Sequence, residues 1–307
     1  MTRPAANPHV ESLRAYVPGE QPQGGGWHKL NTNEHPWPPS PRAVAAAAAI
    51  LADGGARLRL YPSPDASPLR EAASRFHGHP AADIVAGNGS DDLLNLLIRA
   101  FAGPGRSVGV LDPSYSLYPV LAAAQAATVV RVPFPADGRL EPHALRDSGA
   151  ALFLLTNPNA PLGLAFTPDE VAAAARAFPG LLVVDEAYAA FADADCATLA
   201  ARLPNVVVTR TLSKSHALAG LRAGYALCPP GVAEVLHRVR DSYNLDVLAQ
   251  AAAAAALDDR AWLTSAVAEV RRARDRLTEG LRALGWQVGD SQGNFILAFP
   301  RRGGLPI

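Results

Sequence analysis

The stretch T-L-S-K-S-H-A-L-A-G-L-R, residues 211–222, contains a lysine, a serine and an arginine directly after an apolar run. That run, residues 206–209, is β-branched throughout and typical of a buried parallel strand, so Lys214 lies where the strand ends. Ligands of open α/β sheets bind beyond the carboxyl ends of the strands. A partly desolvated lysine there can form a Schiff base, and Ser213 and Arg222 could hold a phosphate. Taken alone, the Ser-Lys pair is equally typical of a solvated lysine.

Short apolar runs alternate with helical stretches over most of the chain. This alternation predicts an α/β fold, with a mostly parallel seven-stranded sheet flanked by helices on both faces. The predicted strands are residues 84–86, 107–111, 128–132, 151–155, 181–184, 206–209 and 223–228, and a further strand-like run covers 294–299. The predicted helices are residues 68–77, 91–102, 115–127, 168–178, 193–202, 231–242 and 259–284.

The same patterns suggest three parts. Residues 1–42 are rich in Pro, Gly and polar groups, which favours an extended arm over a folded domain. Residues 43–245 contain the predicted sheet and form the large domain. Residues 246–307 are mainly helical and form a smaller domain, which we expect to be incomplete at its C-terminal end.

Composition limits the classes of partner. The 307 residues include 28 basic and 28 acidic side chains, so neither nucleic acid nor an anionic membrane surface is expected as a partner. Two cysteines are too few for a disulfide framework or a zinc site. Residues 1–8 lack the apolar core of a signal peptide, and the alanine-rich runs fall short of the about 20 apolar residues that span a bilayer. These features predict a cytoplasmic protein.

Polar turns follow several predicted strands. Residues 87–92, G-N-G-S-D-D, precede a helix that Ser90 would cap, and the free N–H groups of its first turn would bind an anion; an ordinary capped turn is the alternative. Residues 112–115, D-P-S-Y, offer Tyr115 as an aromatic plate for a planar ring, or as a core side chain. Residues 157–163, N-P-N-A-P-L-G, by themselves indicate a turn.

Asp185 ends the apolar run 181–184, and a carboxylate there needs a partner because an unpaired buried charge is costly. A protonated pyridine nitrogen would be such a partner and would make the ring an electron sink, as in pyridoxal phosphate chemistry. Tyr188 could then donate to the phenolic oxygen of that ring. A metal ion is the weaker alternative, since no His or Cys is close in sequence, and no metal site is predicted. A dinucleotide-binding dehydrogenase is disfavoured, because no G-x-G-x-x-G follows the first strand.

Taken together and in order, these motifs resemble a known family. G-N-G-S-D-D, D-P-S-Y, N-P-N-A-P-L-G, V-V-D-E-A-Y and T-L-S-K-S-H-A-L-A-G-L-R-A-G-Y are similar to the fold-type I pyridoxal phosphate aminotransferases of class I/II. N-T-N-E-H-P-W-P-P-S-P (31–41), Y-P-S-P (61–64) and R-D-S-Y-N-L-D (240–246) resemble most the histidinol-phosphate aminotransferase branch. The likeness covers nearly the whole chain and implies pyridoxal 5'-phosphate as the cofactor.

The resemblance implies roles around the cofactor ring. Lys214 would form the Schiff base and move a proton between the substrate carbon and the cofactor. Asp185 would pair with the pyridine nitrogen and Tyr188 would reach the phenolic oxygen. Tyr115 would stack on the ring.

The resemblance also implies a phosphate site. The backbone N–H groups of Ser90 and Asp91 would hold the phosphate, and Ser213 and Arg222 would complete the site. Tyr61 would reach the phosphate of a neighbouring subunit, so the active site would require a homodimer.

Substrate contacts and two departures from the family complete this prediction. Asn33 and the arm would cover the substrate. Ala160 stands where the family has an amide that supports the phenolic oxygen, and Asn159 or Asn157 is the candidate replacement. The chain ends before the family's carboxylate-binding arginine, and residues 301–302 do not stand in its usual setting.

The implied function is transamination of histidinol phosphate with 2-oxoglutarate, which yields imidazole acetol phosphate and glutamate in histidine biosynthesis. Threonine-phosphate decarboxylation and transamination of aromatic amino acids are alternatives with the same cofactor. A truncated protein that binds the cofactor with little catalysis is the alternative of another class, and the missing arginine motivates it.

Overall fold

The computed structural model describes residues 4–300. In this part of the chain, seven strands form one sheet in the order β1-β7-β6-β5-β4-β2-β3. They are β1 (Ile84–Gly87), β2 (Val108–Asp112), β3 (Val129–Pro133), β4 (Leu152–Thr156), β5 (Leu181–Asp185), β6 (Val206–Thr211) and β7 (Gly224–Leu227). Strands β2 to β6 run parallel, and β7 is antiparallel to both of its neighbours. The predicted mostly parallel seven-stranded sheet is therefore confirmed.

Helices cover both faces of the sheet, as predicted. The described helices are α1 (Pro8–Glu11), α2 (Pro41–Gly55), α3 (Ser67–His77), α4 (Ser90–Phe101), α5 (Tyr118–Ala124), α6 (Pro142–Asp147), α7 (Pro168–Ala177), α8 (Leu199–Arg202), α9 (Pro230–Val239), α10 (Val247–Asp258) and α11 (Arg260–Ala283). Side chains of α3, α7 and α10 pack on one face, and those of α4, α5 and α9 pack on the other.

Strand β5 shows why these runs become central strands. Leu182 and Val184 are fully buried in the cluster on one face, whereas Val183 is fully buried in the cluster on the other. Successive side chains of a strand point to opposite faces, so a strand covered on both sides must be apolar throughout. Burial of each such side chain stabilises the fold by about 1.5–3 kcal/mol. The apolar run ends at Asp185, where the sheet meets the candidate site.

Three predicted elements differ from the structure. The strand expected at 294–299 is confined to β9 (Ala298–Phe299), which pairs with β8 (Gln287–Val288). The helix expected at 193–202 is only α8, because the Asp195 side chain accepts a hydrogen bond from the Ala197 backbone N–H at 3.0 Å and so favours a turn. The helix expected at 115–127 is α5; Pro119 marks its first turn, and Ala126 lies beyond its end with φ +55°.

The alanine-rich runs lie in α2 and α10, in agreement with the high helix propensity of alanine. Buried alanines of α10 pack against α2 and α3 in the same hydrophobic cluster as the sheet. The three-part domain division stays a prediction, and the ends of its outer parts, residues 1–3 and 301–307 with Arg301 and Arg302, lie outside the described residues. Of the described helices, none combines the length and apolarity required to cross a bilayer.

Candidate active site

Lys214 lies just beyond the end of β6, where its side chain is partly buried. Its Nζ donates a hydrogen bond to the backbone carbonyl of Thr32 at 2.6 Å and lies 6.0 Å from the centre of the Tyr188 ring. Burial lowers the pKa of Lys214, although the nearby carboxylates of Glu34 and Asp91 oppose this shift. The amine therefore gives up its proton more readily than a solvated lysine does.

Asp185 ends β5 and is almost fully buried. Its Oδ2 accepts a hydrogen bond from the hydroxyl of Tyr118 at 2.8 Å, and its Oδ1 accepts one from the Thr209 hydroxyl at 3.1 Å. Burial raises the pKa of Asp185 to about 6, whereas both hydrogen bonds lower it. The carboxyl is mostly ionised at neutral pH and presents a buried anion that a cationic group can pair with.

The hydrogen-bond donors around Asp185 were not predicted from the sequence. The Tyr118 hydroxyl also lies 2.6 Å from the Thr156 hydroxyl, at the end of β4. Thr209 lies directly opposite Asp185 in the register of β5 and β6. Side chains alternate between the two faces of a strand, and aligning β5 with β6 by that alternation would have indicated Thr209. Nothing in the sequence indicates that Tyr118 reaches Asp185 from a helix.

Tyr188 closes another side of the site. Its hydroxyl accepts a hydrogen bond from the Asn33 side-chain amide at 3.1 Å, so the arm contacts this region. The Tyr188 ring packs edge-on against Phe295, with the ring centres 5.0 Å apart. Burial raises the pKa of the Tyr188 phenol, so the group stays protonated and keeps its O–H as a donor.

The first turn of α4 is where the anion site was predicted, and the structure corrects one detail of it. Ser90 is the first helical residue and not the cap; Gly89 occupies the cap position with φ +83°, and no side chain caps the helix there. The first N–H groups of a helix have no acceptor within the helix, so those of Ser90 and Asp91 remain available to an anion.

Arg222 lies beside this helix end. Its Nη1 is 3.4 Å from Ser213 Oγ, and its Nη2 is 3.4 Å from Asp91 Oδ2. A Cβ added to Gly89 would lie 2.8 Å from Arg222 Nη2, and one added to Gly224 would lie 2.9 Å from Ser90 N. Two glycines thus keep open a site made of N–H groups, a hydroxyl and a guanidinium, which is the donor set that suits a phosphate.

Tyr115 packs against Tyr118, the hydrogen-bond partner of Asp185, and lies near Asp91 of the α4 start. Its ring is 5.5 Å from that of Tyr118 and 6.4 Å from that of Tyr16, and both contacts are edge-on. Burial and the nearby Asp91 raise the pKa of the Tyr115 phenol. The stacking role of Tyr115 stays a prediction.

The structure does not bring Asn159 and Tyr61 into these contacts, as far as residues 4–300 show. The Asn159 side chain donates to the Pro113 carbonyl at 3.2 Å and accepts from the Leu162 N–H at 3.3 Å, so it links its own turn to the segment after β2. Tyr61 is 82% exposed and stacks on Tyr243 with the ring centres 4.5 Å apart. Their cofactor contacts stay predictions.

A buried charged cluster lies next to the site and was also not predicted. Arg210 Nη2 is 2.7 Å from Glu186 Oε2 and 3.0 Å from Asp195 Oδ2, and both contacts are ion pairs without hydrogen-bond alignment. Burial raises the pKa of Glu186 to about 7, and Arg210 opposes that shift. Within the described residues, no three metal-ligating side chains are grouped closely enough to hold a metal ion.

The family of this chain follows from comparison with known proteins. The model of the class I and II aminotransferases matches residues 26–300. The chain belongs to this family of enzymes, as the motifs predicted.

Particular members resemble it over most of their length. A histidinol-phosphate aminotransferase of Geobacter sulfurreducens is 47% identical over 293 residues, covering 95% of this chain and 83% of the relative. The solved histidinol-phosphate aminotransferase of Sinorhizobium meliloti, in complex with pyridoxal-5'-phosphate, has a TM-score of 0.80 at 30% identity, covering 87% of this chain and 74% of that one. A mutant Thermus thermophilus aspartate aminotransferase has a TM-score of 0.81 at 26% identity, covering 96% and 84% of the two chains.

Proposed function

We propose that this protein is a pyridoxal phosphate-dependent aminotransferase that transfers the amino group of histidinol phosphate to 2-oxoglutarate. One structural observation carries the cofactor assignment: a partly buried lysine, a buried aspartate and an open anion site lie at one edge of a parallel sheet. The 47% identity to a relative named histidinol-phosphate aminotransferase supports the choice of substrate.

The residues present fit the cofactor. When bound, pyridoxal phosphate supplies an aldehyde that condenses with amines and a ring that accepts electrons from the substrate carbon. The N–H groups of Ser90 and Asp91, together with Ser213 and Arg222, would hold its phosphate. The buried Asp185 carboxylate would keep the pyridine nitrogen protonated, since a cation is the partner that this anion lacks.

Three further side chains would act around the ring. Lys214 would accept and return a proton at Nζ, and its lowered pKa favours the neutral amine required for that transfer. Tyr188 would donate its O–H to the phenolic oxygen, and Tyr115 would present a ring face to the pyridine. Asn33 would help the arm to exclude water from the reacting atoms.

We also propose that two copies form a homodimer in which Tyr61 serves the partner's site. Tyr61 borders a cleft of about 310 Å³ next to exposed apolar side chains of α2 and the turn after it. These side chains are Val44, Leu51, Leu58 and Leu60, each at least half exposed. Apolar side chains grouped on one surface are typical of an interface. A cytoplasmic location stays a prediction.

Lys214→Ala tests the cofactor assignment. The sequence contains two lysines, Lys29 and Lys214, so covalent attachment is unusually easy to assign. Borohydride reduction of the wild-type protein with pyridoxal phosphate should add one cofactor mass to the peptide that contains residue 214. Lys214→Ala should take up none, whereas Lys29→Met should keep the adduct. An adduct of unchanged yield in Lys214→Ala would refute the assignment.

Steady-state assays test the substrate. With histidinol phosphate and 2-oxoglutarate we expect formation of glutamate without release of carbon dioxide. Carbon dioxide release from threonine phosphate, or a higher kcat/KM for aromatic amino acids, would select one of the alternative reactions. A spectrum of the bound cofactor that does not respond to glutamate would instead indicate a protein with little catalysis.

A further inference from the structure

The second lysine of the chain shapes the part of the arm that covers Lys214. We define residues 29–34 as the arm loop. Lys29 Nζ donates to the Thr32 hydroxyl at 2.8 Å and to Glu34 Oε2 at 2.6 Å, and its side chain is only 21% exposed. The hydrogen bond from Lys29 also lowers the pKa of Glu34, so Glu34 is ionised at neutral pH. One ammonium group therefore links two other residues of the arm loop, Thr32 and Glu34.

Successive residues of the arm loop contact the candidate site. The Thr32 carbonyl accepts the hydrogen bond from Lys214 Nζ at 2.6 Å. The Asn33 side chain donates to the Tyr188 hydroxyl at 3.1 Å, and its carbonyl accepts from the Asn294 amide at 3.0 Å. Asn33 has φ +54°, a left-handed conformation that is uncommon for residues other than glycine but that asparagine adopts more readily than most.

We propose that Lys29 is a positioning residue of the active site, which holds the arm loop in the conformation that places Thr32 against Lys214 and Asn33 against Tyr188. The sequence uses arginine for every other basic position, yet has lysines at 29 and 214, both of which contact Thr32. A lysine suits this place because its compact ammonium directs three donors from a flexible stem, whereas the planar guanidinium of arginine is wider. This inference rests on the proposed function of Lys214.

A purely electrostatic role of Lys29 has to be separated from a positioning role. The charged groups that face Lys214 are Glu34, Asp91, Arg222 and Lys29. Glu34 raises the pKa of Lys214 and Lys29 lowers it. If the arm loop kept its place, removing the two charges one at a time would shift the Lys214 titration in opposite directions. If each of the two changes releases the loop, the two variants lose the same contacts, and Lys214 should titrate alike in both.

Nuclear magnetic resonance can follow both lysines directly, because the chain contains only two. Protein labelled with ¹³C-lysine is titrated without added cofactor, and the ¹³Cε shift of Lys214 gives its pKa in wild type, Lys29→Met, Glu34→Gln and the double variant. Hydrogen exchange of residues 29–34 is measured on the same samples. Glu234→Gln is the matched control, since it removes an exposed ion pair with Arg238 on α9.

We expect the three arm-loop variants to share one Lys214 titration that differs from wild type. Exchange of residues 29–34 should be about tenfold faster in each of them, because hydrogen bonds to a charged group are lost. Glu234→Gln should match wild type. Opposite shifts in the two single variants, or a wild-type titration and exchange in Lys29→Met, would overturn the proposal.

Addition of pyridoxal phosphate separates this inference from the function on which it rests. In wild type, the Lys214 ¹³Cε resonance should move to the position of an imine. If it does not move, the proposed function fails whatever the arm-loop variants do. If it moves and the variants behave like wild type, Lys29 has no positioning role and the proposed function stands.

Discussion

At the scale of single residues, the site is defined by ionisable groups in buried surroundings. Asp185 is held by two hydroxyl donors, Tyr118 and Thr209, and burial still raises its pKa to about 6. The two donors reduce the cost of ionisation without removing it. A buried carboxylate with a raised pKa stabilises the fold poorly but is a good partner for a cation. Groups with perturbed pKa values are common at functional sites.

Asp185→Asn should make the cofactor-free protein more stable at neutral pH and less active with the cofactor. The pKa of Asp185 is higher in the folded state than in the unfolded state. Its contribution to the unfolding free energy is therefore full below about pH 3.8 and is lost as pH rises through about 6. The asparagine variant cannot ionise, so its advantage in unfolding free energy should grow over this window to at most about 3 kcal/mol. Urea unfolding at fixed protein concentration from pH 4 to 8 measures it.

The control for this prediction is Asp137→Asn, which removes a carboxylate from an exposed turn. Its stability relative to wild type should show no comparable rise between pH 4 and 6. A gap between Asp185→Asn and wild type that is constant with pH would contradict the assignment of the raised pKa. Full turnover by Asp185→Asn with pyridoxal phosphate would contradict its pairing with the ring nitrogen.

The sequence predicted the residues that follow apolar runs and missed those that approach from elsewhere. Lys214 and Asp185 were predicted because each lies at or just beyond the end of a buried strand. Tyr118 lies 67 positions from Asp185, and Thr32 lies 182 positions from Lys214. Such contacts depend on how helices and the arm pack on the sheet, and a local pattern carries no information about that packing.

At the scale of elements, the strands and the α4 start determine the shape of the anion site. The central strands were predicted to within about two residues, because runs buried on both faces must be continuously apolar. The C-terminal strand was predicted too long, since its first part does not pair: Phe295 packs on Tyr188, and Asn294 bonds to Asn33. Its partner β8 has only two residues and no apolar run to reveal it.

Gly224→Ala should weaken the anion site by displacing β7 from the start of α4. The added Cβ would lie 2.8 Å from the Arg210 carbonyl oxygen and 2.9 Å from Ser90 N, and backbone atoms cannot move aside as a flexible side chain does. We expect a loss of about 1–3 kcal/mol in stability and weaker binding of pyridoxal phosphate. Unfolding and absorbance titration with the cofactor measure the two effects.

Gly231→Ala in α9 is the matched control. No heavy atom lies within 4 Å of a Cβ built there, apart from its own neighbours and helix backbone. Gly231 lies in the first turn of α9, and alanine has the higher helix propensity, so this variant should be at least as stable as wild type and bind the cofactor as wild type does. Cofactor affinity of Gly224→Ala equal to that of Gly231→Ala would show that the close approach is unimportant.

At the scale of the whole molecule, the candidate site joins parts of the chain that are far apart in sequence. The arm loop, the ends of β5 and β6, and residues 294–295 meet around Lys214 and Tyr188. Tyr61 is outside this group and points to a surface with several exposed apolar side chains. A second copy of the chain on that surface would bury them and could bring Tyr61 to a site that its own subunit does not complete.

Mixed dimers test this arrangement. Lys214→Ala and Tyr61→Ala homodimers should each have little activity. In a hybrid of the two, one site would carry both changes, whereas the other would combine an intact Lys214 with an intact Tyr61 from the partner. Hybrids purified with two affinity tags should therefore regain about half of the wild-type activity per dimer.

Hybrids of Lys214→Ala with Asp185→Asn should stay inactive, since both residues belong to the same subunit's site. Hybrids with Tyr61→Ala that are no more active than their parents would place Tyr61 outside a shared site.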